Sequence, residues 1–467
     1  MAQKEAGLAA MSGGGKAKPH AVVVVYPLQG HVIPVTHLAL RLAARGFAVT
    51  VVNTEALHDQ TASRGWTCAT SLSATASPWG LTGRCTTTSS GAHCSKRSLA
   101  TSRRCSATSS STRPRRASSP TPSSCGRRRW PGSSVSRTCP SRRSPRSSST
   151  STTMSTCSPT TATSDATPRK DMITHIPGVP AIEPHELMSY LQETDTTNVV
   201  HRILFRAFEE ARDADYVLCN TVEELDPSTI VALRAEKPFY AVGPIFPAGF
   251  THSAVATSMW VESNCSHWLD AQPLGSVLYI SFGSYAHVTK QELHEIAGGV
   301  LASGARFLWV MRPDIVSSDD PDPLPEGFAA ASAGRGLVVP WYCLVEVLSH
   351  AALDGFLTHC GWNSVLESVW SGVPMLCFPL LTDQFTNRRL VVREWHVGVP
   401  IGDRGAVFAD EVRVRIEGVM SGKEGEELRE AVKKVRATLE AATAHGRSSQ
   451  RIFDEFVDEL MRCCGGC

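Results

Sequence analysis

Between residues 355 and 384 the chain gathers side chains that together suit a phosphorylated, hydroxyl-rich ligand. A strand-like run, 355–358, leads straight into His359, Cys360, Gly361, Trp362, Asn363 and Ser364, and then into a helical pattern. Gly361 permits close backbone approach. Asn363 and Ser364 suit the first turn of a helix, where unpaired N–H groups and the helix dipole hold an anion. His359 can donate to a phosphate oxygen. Glu367, one turn further on, can accept from vicinal hydroxyls. Gly372 and Pro374 end the helix, and the next strand delivers Thr382, Asp383 and Gln384 to the same end of the sheet. With an upstream platform for a base, the set reads as a nucleotide-sugar site. Taken alone, the His-Cys-Gly-Trp-Asn run is equally well an N-cap beside a buried tryptophan.

A second candidate lies far upstream. His31 sits in "PLQGHVIP", where a strand ends and a helix begins. Imidazole titrates near neutrality and can take a proton from an attacking hydroxyl. A lone histidine in such a loop is otherwise an ordinary surface or capping residue.

Strands and helices must bring these residues together. The stretch "HAVVVVYPLQGHVIPVTHLALRLAARGFAVTVVNTE" reads as a strand–helix–strand unit. Its first strand, 21–26, is continuously apolar and predicts burial on both faces. The helix follows with Pro34 in its first turn, Val35, Leu38 and Leu42 on one face, and a left-handed end at Gly46. A Pro- and Gly-rich stretch, 242–253, predicts a linker. The second half then repeats the alternation, and the last helix lines up Ile452, Phe453, Phe456, Val457 and Leu460 on one stripe. The fold class is α/β: two Rossmann-like, doubly wound domains facing across a cleft, with ligands at the carboxyl ends of the strands.

One segment breaks the pattern. From about Thr67 to Pro168 nearly half the residues are Ser or Thr, and no acidic residue occurs between Gln60 and Ser164. Neither helical nor strand periodicity is present, which predicts a stretch without a core of its own. Its abrupt edges and its mixture of Ser, Thr, Arg, Pro, Ala and Cys read as an out-of-frame translation of a GC-rich gene, with a genuine disordered insertion as the alternative. Asp165 is its one acidic residue.

Composition excludes several classes. The 467 residues carry a formal net charge of +2, which argues against a dedicated nucleic-acid binder. The Arg-rich segment alone would suggest one, but its arginines lack interleaved aromatics. No run spans a bilayer, and the first 20 residues lack the apolar core of a signal peptide. The 15 cysteines show no framework spacing. A cytoplasmic monomer is the expectation. Neither "GGGK" at 13–16 nor the terminal CxxC, Cys464 to Cys467, has the context of a phosphate loop or a zinc site.

Residues 341–384, "WYCLVEVLSHAALDGFLTHCGWNSVLESVWSGVPMLCFPLLTDQ", resemble almost residue for residue the signature box of the plant family 1 UDP-glycosyltransferases. The resemblance runs from Lys18 to about Thr67 and from Arg169 to the C-terminus. It implies the GT-B fold, a UDP-sugar donor, a small acceptor and no metal or other cofactor. It also implies roles. Trp341 stacks on uracil and the backbone of Tyr342 reads the base edge. Glu367 binds the ribose, and Ser284, His359, Gly361, Asn363 and Ser364 hold the diphosphate. Trp362, Asp383 and Gln384 face the sugar, with Gln384 typical of glucose. His31 is the general base, oriented by an Asp from the middle of the first domain. One departure is Leu344 where the family has Gln; a lost hydrogen bond there weakens donor binding by about 0.5–1.5 kcal/mol.

The domains expected from this are a flexible leader (1–17), an acceptor-binding domain (18–247, with 67–168 atypical), a UDP-sugar domain (248–446) and a C-terminal helix (447–467) returning to the first domain. The implied reaction is inverting glucosyl transfer from UDP-glucose to a hydroxyl or carboxyl of a small lipophilic acceptor, impaired in this chain by the segment that replaces the Asp. A UDP-sugar-binding homologue without activity is the other reading.

Overall fold

In the computed structural model, the described residues are 18–54, 70–74, 83–85, 171–193, 195–197, 199–246, 263, 265–316, 322–402 and 406–465. The leader, Asp165 and nearly all of segment 67–168, the later part of the expected linker and Cys467 lie outside them.

The valine-rich start forms β1 (His20–Val24), which pairs in parallel with β2 (Ala48–Thr54) across α1 (Gln29–Ala44). Gly46, at φ 91°, turns the chain from the helix into β2. Three details correct the sequence reading. The first strand stops at Val24, and only one of its faces is covered. Ala21, Val23 and Val25 pack beneath α1, whereas Val22 and Val24 are 59% and 37% exposed. His31 lies inside the first turn of α1, not ahead of it. Pro34 falls in the second turn, where the helix absorbs it.

The backbone of the atypical segment also contributes. β3 (Thr70–Ala74) extends the sheet in parallel beside β2, and β4 (Gly83–Cys85) adds an antiparallel edge, giving the order β1-β2-β3-β4. The expectation of no strand there is therefore corrected at these two places. An open edge of β2 offers N–H and C=O groups to any extended backbone, whatever its side chains.

The first half resumes with α2 (Val199–Asp213) and a separate two-stranded parallel sheet, β5 (Val217–Cys219) and β6 (Phe239–Ala241). The predicted linker begins too early. Val242 to Ile245 is buried, with a cis Gly243–Pro244 bond; Ile245 N donates to Asn220 Oδ1 at 2.7 Å and Ser449 Oγ to the Gly243 carbonyl at 2.6 Å.

The second half is built on one six-stranded parallel sheet: β7 (Val277–Ser281), β8 (Arg306–Val310), β9 (Gly336–Val339), β10 (Leu353–Thr358), β11 (Met375–Cys377) and β12 (Gly398–Pro400), in the order β12-β11-β10-β7-β8-β9. Its side chains alternate between two apolar layers. Tyr279, Leu308 and Phe356 point to one; Ile280, Trp309 and Leu357 point to the other. The covering helices include α3 (Lys290–Ala302), α4 (Trp362–Ser371), α5 (Gln384–Arg389), α6 (Ala409–Ser421) and α7 (Lys423–Thr443). α5 runs on into a single π turn, Leu390–Glu394. The last helix, α8 (Ser448–Gly465), lays Ile452, Phe453, Phe456 and Val457 against Leu42, Phe47, Tyr216 and Val242 of the first half.

Candidate functional site

The site starts where β10 hands over to α4. The chain turns at Cys360 through the left-handed region, φ 65°, held by Cys360 N donating to Thr358 Oγ1 at 3.1 Å. Gly361 is the N-cap and offers no side-chain cap, so the first amides of α4, at Trp362, Asn363 and Ser364, remain free to bind an anion.

His359 is locked into this corner by two glycines. A Cβ on Gly283 would lie 2.4 Å from its Nε2, and one on Gly361 would lie 2.5 Å from it. Gly283 also has φ 73°, so the loop carrying Ser284 approaches only because residue 283 has no side chain. Burial pushes the His359 imidazole down to about 4, against the pull of Asp383. At neutral pH it therefore offers an uncharged N–H. Its Nδ1 is buried without a hydrogen-bond partner.

Glu367 lies one turn into α4. Crowding by the protein raises its carboxyl to about 8, although part of the side chain still reaches solvent. A carboxyl raised so far favours the protonated form at pH 7.

Asp383 and Gln384 begin α5. Gln384 is buried, and its Oε1 accepts from the amides of Leu380 and Leu381 at 2.8 and 3.0 Å, which leaves its Nε2 as the group able to bind a hydroxyl. Asp383 accepts from Thr382 Oγ1 and Asn387 Nδ2, both at 2.9 Å. The same Asn387 amide donates to the Cys360 carbonyl at 3.0 Å, tying the two loops together.

Trp341 and Tyr342 sit upstream in the apolar layer with Val347 and Leu348. The Tyr342 hydroxyl is 2.9 Å from Ser266 Oγ. Trp362, expected to face the sugar, reaches across to the first half. Its indole N–H donates to the Asn220 carbonyl of the first half at 2.7 Å and its ring lies 6.0 Å from that of Trp395.

The two halves meet at the site. Asn363 Nδ2 donates to the Gly30 carbonyl at 2.6 Å, so its amide faces the first turn of α1 as well as the anion corner. His31 is the next residue. Its ring makes an edge contact with Tyr26, centroids 5.3 Å apart. Crowding lowers its pKa, and the charge of Asp383 opposes that shift. Among the described residues no carboxylate hydrogen-bonds the His31 ring.

Several positions the sequence did not flag complete the frame. Asn387 could have been found, because it stands four residues from Asp383 on one helix face. Ser189 could not: it donates its amide to the Thr382 carbonyl and its hydroxyl accepts from the Thr382 amide, both at 2.9 Å, across nearly two hundred residues.

Comparison with known proteins finds relatives along the chain. The family model described as UDP-glucoronosyl and UDP-glucosyl transferase matches residues 246–423. UDP-glycosyltransferase 86A1 of Arabidopsis thaliana is 43% identical over 480 aligned residues, covering 95% of this chain and 94% of that protein. UDP-glycosyltransferase 86A2 of the same plant is 52% identical over 299 residues, 64% of this chain and 61% of that protein. A Polygonum tinctorium UDP-glucosyltransferase capable of glucosylating indoxyl, solved with 3,4-dichloroaniline, superposes with a TM-score of 0.55 at 33% identity, over 63% of this chain and 65% of that one. Phytolacca americana UGT2, complexed with UDP-2-fluoro-glucose and pterostilbene, shares the fold over 95% of this chain and all of that one, with a TM-score of 0.67 at 23% identity.

Proposed function

We propose, from the premise that the chain belongs to the plant family 1 UDP-glycosyltransferases, that it binds UDP-glucose in its second half and transfers glucose, with inversion, to a hydroxyl or carboxyl of a small lipophilic acceptor. The observation that carries this reading is the Asn363–Gly30 hydrogen bond. It sets the anion corner of α4 against the turn of α1 that holds His31.

The free amides of α4 and the neutral N–H of His359 hold the diphosphate. Ser284 adds a hydroxyl, Glu367 takes the ribose hydroxyls, and Trp341 and Tyr342 carry the base. Asp383 and the Gln384 amide nitrogen bind the sugar. His31 removes the acceptor proton as the acceptor oxygen attacks the anomeric carbon, and the bond to UDP breaks on the opposite side. The diphosphate leaves into a corner already arranged for negative charge. Acceptor binding falls to the first half, 18–247, and donor binding to 248–446, with the C-terminal helix joining them.

Transfer by this chain is impaired. The segment 67–168 replaces the part of the domain that supplies the orienting Asp in the family, and the His31 ring lacks a carboxylate partner among the described residues. That same observation favours the second reading, a UDP-sugar binder without turnover. Calorimetry with UDP and turnover of UDP-glucose with a panel of simple phenols separate the two. Binding with slow turnover supports the proposal, binding with none leaves the second reading, and no UDP binding overturns both.

A further inference from the structure

Behind the loop that carries Ser284 stands a buried cation. β7 and β8 run side by side in parallel, and the last residues they pair are Ser281 and Val310. Two residues further along each chain come Gly283 and Arg312, at the carboxyl end of the sheet, where ligands bind. Arg312 is 2% exposed. Its guanidinium spans the loop: Nη1 donates to the Gly283 carbonyl, and Nη2 donates to the Ala286 carbonyl at 2.8 Å. Nε donates to Asp314 Oδ1 at 2.9 Å. Beyond the loop, Val288 N donates to the Ile315 carbonyl at 2.9 Å and fastens its far end to the same stretch.

These bonds bear on the donor corner. A Cβ on Gly283 would lie 2.4 Å from His359 Nε2, so the loop that Arg312 holds rests directly on the imidazole. In a trans peptide the C=O and N–H point in opposite directions. With the Gly283 carbonyl turned onto the guanidinium, the Ser284 amide is turned away from it. Charge adds to shape. The Asp314 carboxylate is 58% exposed, so water screens it and the buried guanidinium keeps much of its field. That field reaches the corner: burial lowers the His359 imidazole most, Asp383 opposes the shift, and Arg312 lowers it further.

We infer that Arg312 is a positioning residue for the donor: it fixes the 283–286 loop against His359 and so keeps the corner in the shape a nucleoside diphosphate needs. The inference rests on the diphosphate site proposed above. Arg312 acts through Gly283 and Ala286, whose carbonyls it bridges, and leaves contact with the phosphates to Ser284, His359 and the α4 amides. A guanidinium suits this task because its planar fork meets two carbonyls at once and stays charged when buried. A lysine offers the charge without the fork, and a glutamine offers neither the charge nor the reach.

The test titrates UDP and uridine into the full chain by calorimetry, because the ratio of the two affinities isolates what the phosphates contribute. Arg312→Gln is expected to weaken UDP about tenfold and uridine by less than about twofold. Arg312→Lys is expected to weaken UDP by about threefold, between the parent chain and Arg312→Gln. If Arg312→Gln does not fold, Arg312→Lys carries the same comparison. Asp314→Asn removes only the exposed carboxylate and is expected to shift the preference by less than about twofold. A side chain that merely packs would lower the Tm and weaken both ligands by one factor, and that result overturns the inference. So does an Asp314→Asn effect as large as that of Arg312→Gln, since the ion pair would then carry it. If the parent chain does not prefer UDP to uridine, the diphosphate reading falls and this inference with it. If the parent prefers UDP and the Arg312 variants keep that preference, only the role of Arg312 falls.

Discussion

The two halves use the same alternation of strand and helix, yet they bury it very differently. In the second half every residue of β7 is buried, and β8 and β10 are nearly so. Apolar layers cover both faces, as a parallel sheet requires. In the first half β1 is an edge strand covered on one face, and the strands are divided between two sheets. Sequence does not explain the contrast locally, because "HAVVVV" is as apolar as "SVLYIS". The difference lies downstream of each strand. Elements after "SVLYIS" return to cover it, whereas the segment after "HAVVVV" and β2 has few residues able to do so. Burial depends on the whole ordered neighbourhood, and a strand's own composition only permits it.

The largest effect that would break this comparison is catalytic. Replacing residues 67–168 with the translation of an alternative reading frame is expected to raise turnover by about 10⁴ or more, the loss typical of an unoriented catalytic imidazole. The same change is expected to protect the amides of β1 from hydrogen exchange. If no frame of the coding DNA yields apolar strands and an Asp, the segment is a true insertion and the contrast is native to the protein.

Next in size is a pair of core substitutions. Phe356 is wholly buried between β7 and β11, and Phe356→Ala is expected to destabilise the second half by about 3–5 kcal/mol. Val22→Ala, on the open face of β1, is expected to change stability by less than about 0.5 kcal/mol. Denaturant unfolding measures both. A large loss at Val22 would mean that the face is covered in solution.

Glu367 sharpens the comparison at the site. Glu367→Ala is expected to weaken UDP binding by about 1.5–3 kcal/mol, because the ribose hydroxyls lose a charged acceptor. The sign of its pH dependence follows from a carboxyl raised to about 8 by burial. The folded protein then holds a proton that the unfolded chain releases near its ordinary value, so this group's stabilisation is full below about 4.5 and disappears as pH rises through 8. His359, lowered to about 4, acts oppositely: its contribution is lost as pH falls from about 6.5 towards 4. Of these two groups, only Glu367 keeps a slope above pH 6.5. If Glu367 takes the ribose hydroxyls as proposed, UDP needs its carboxylate, so UDP affinity is expected to rise between pH 6 and 8 and binding at pH 7 to release a proton. Calorimetry in buffers of different ionisation enthalpy reads that proton, and Glu367→Gln removes it.

These effects also show which parts of the molecule were legible from the chain alone. The strands and helices of the second half were, because their apolar periods are intact. So was the clustering of His359 to Gln384, since strand–turn–helix units place such residues at one sheet edge. What escaped was set by contacts distant in sequence. Nothing near Trp362 announces that its indole will bond Asn220, nothing near Thr382 points to Ser189, and the raised carboxyl of Glu367 follows from its burial in the folded chain. In the first half, both faces of β1 were expected to be buried on composition alone, whereas Val22 and Val24 are exposed.

The smallest expected effect tests whether the two halves respond separately. α3 opens with a capping box: Glu292 N donates to Thr289 Oγ1 at 3.1 Å, and Thr289 N donates to Glu292 Oε2 at 2.8 Å. α1 opens at Leu28 with no side-chain cap. Thr289→Ala removes one satisfied amide at the start of α3 and is expected to lose about 1 kcal/mol, while Leu28→Ala removes no cap and is expected to lose less. For a unit the size of the second half, 1 kcal/mol lowers the Tm by about 2–4 °C. Hydrogen exchange read by mass spectrometry assigns the change to a region. In Thr289→Ala, faster exchange is expected in α3 and in α6, which packs across it through Gly299 and Val412, with β1 and β2 unchanged. Equal acceleration in β1 and β2 would mean that the halves unfold as one unit through α8 and the Asn363–Gly30 contact. The exposed first sheet would then draw its stability from the second half.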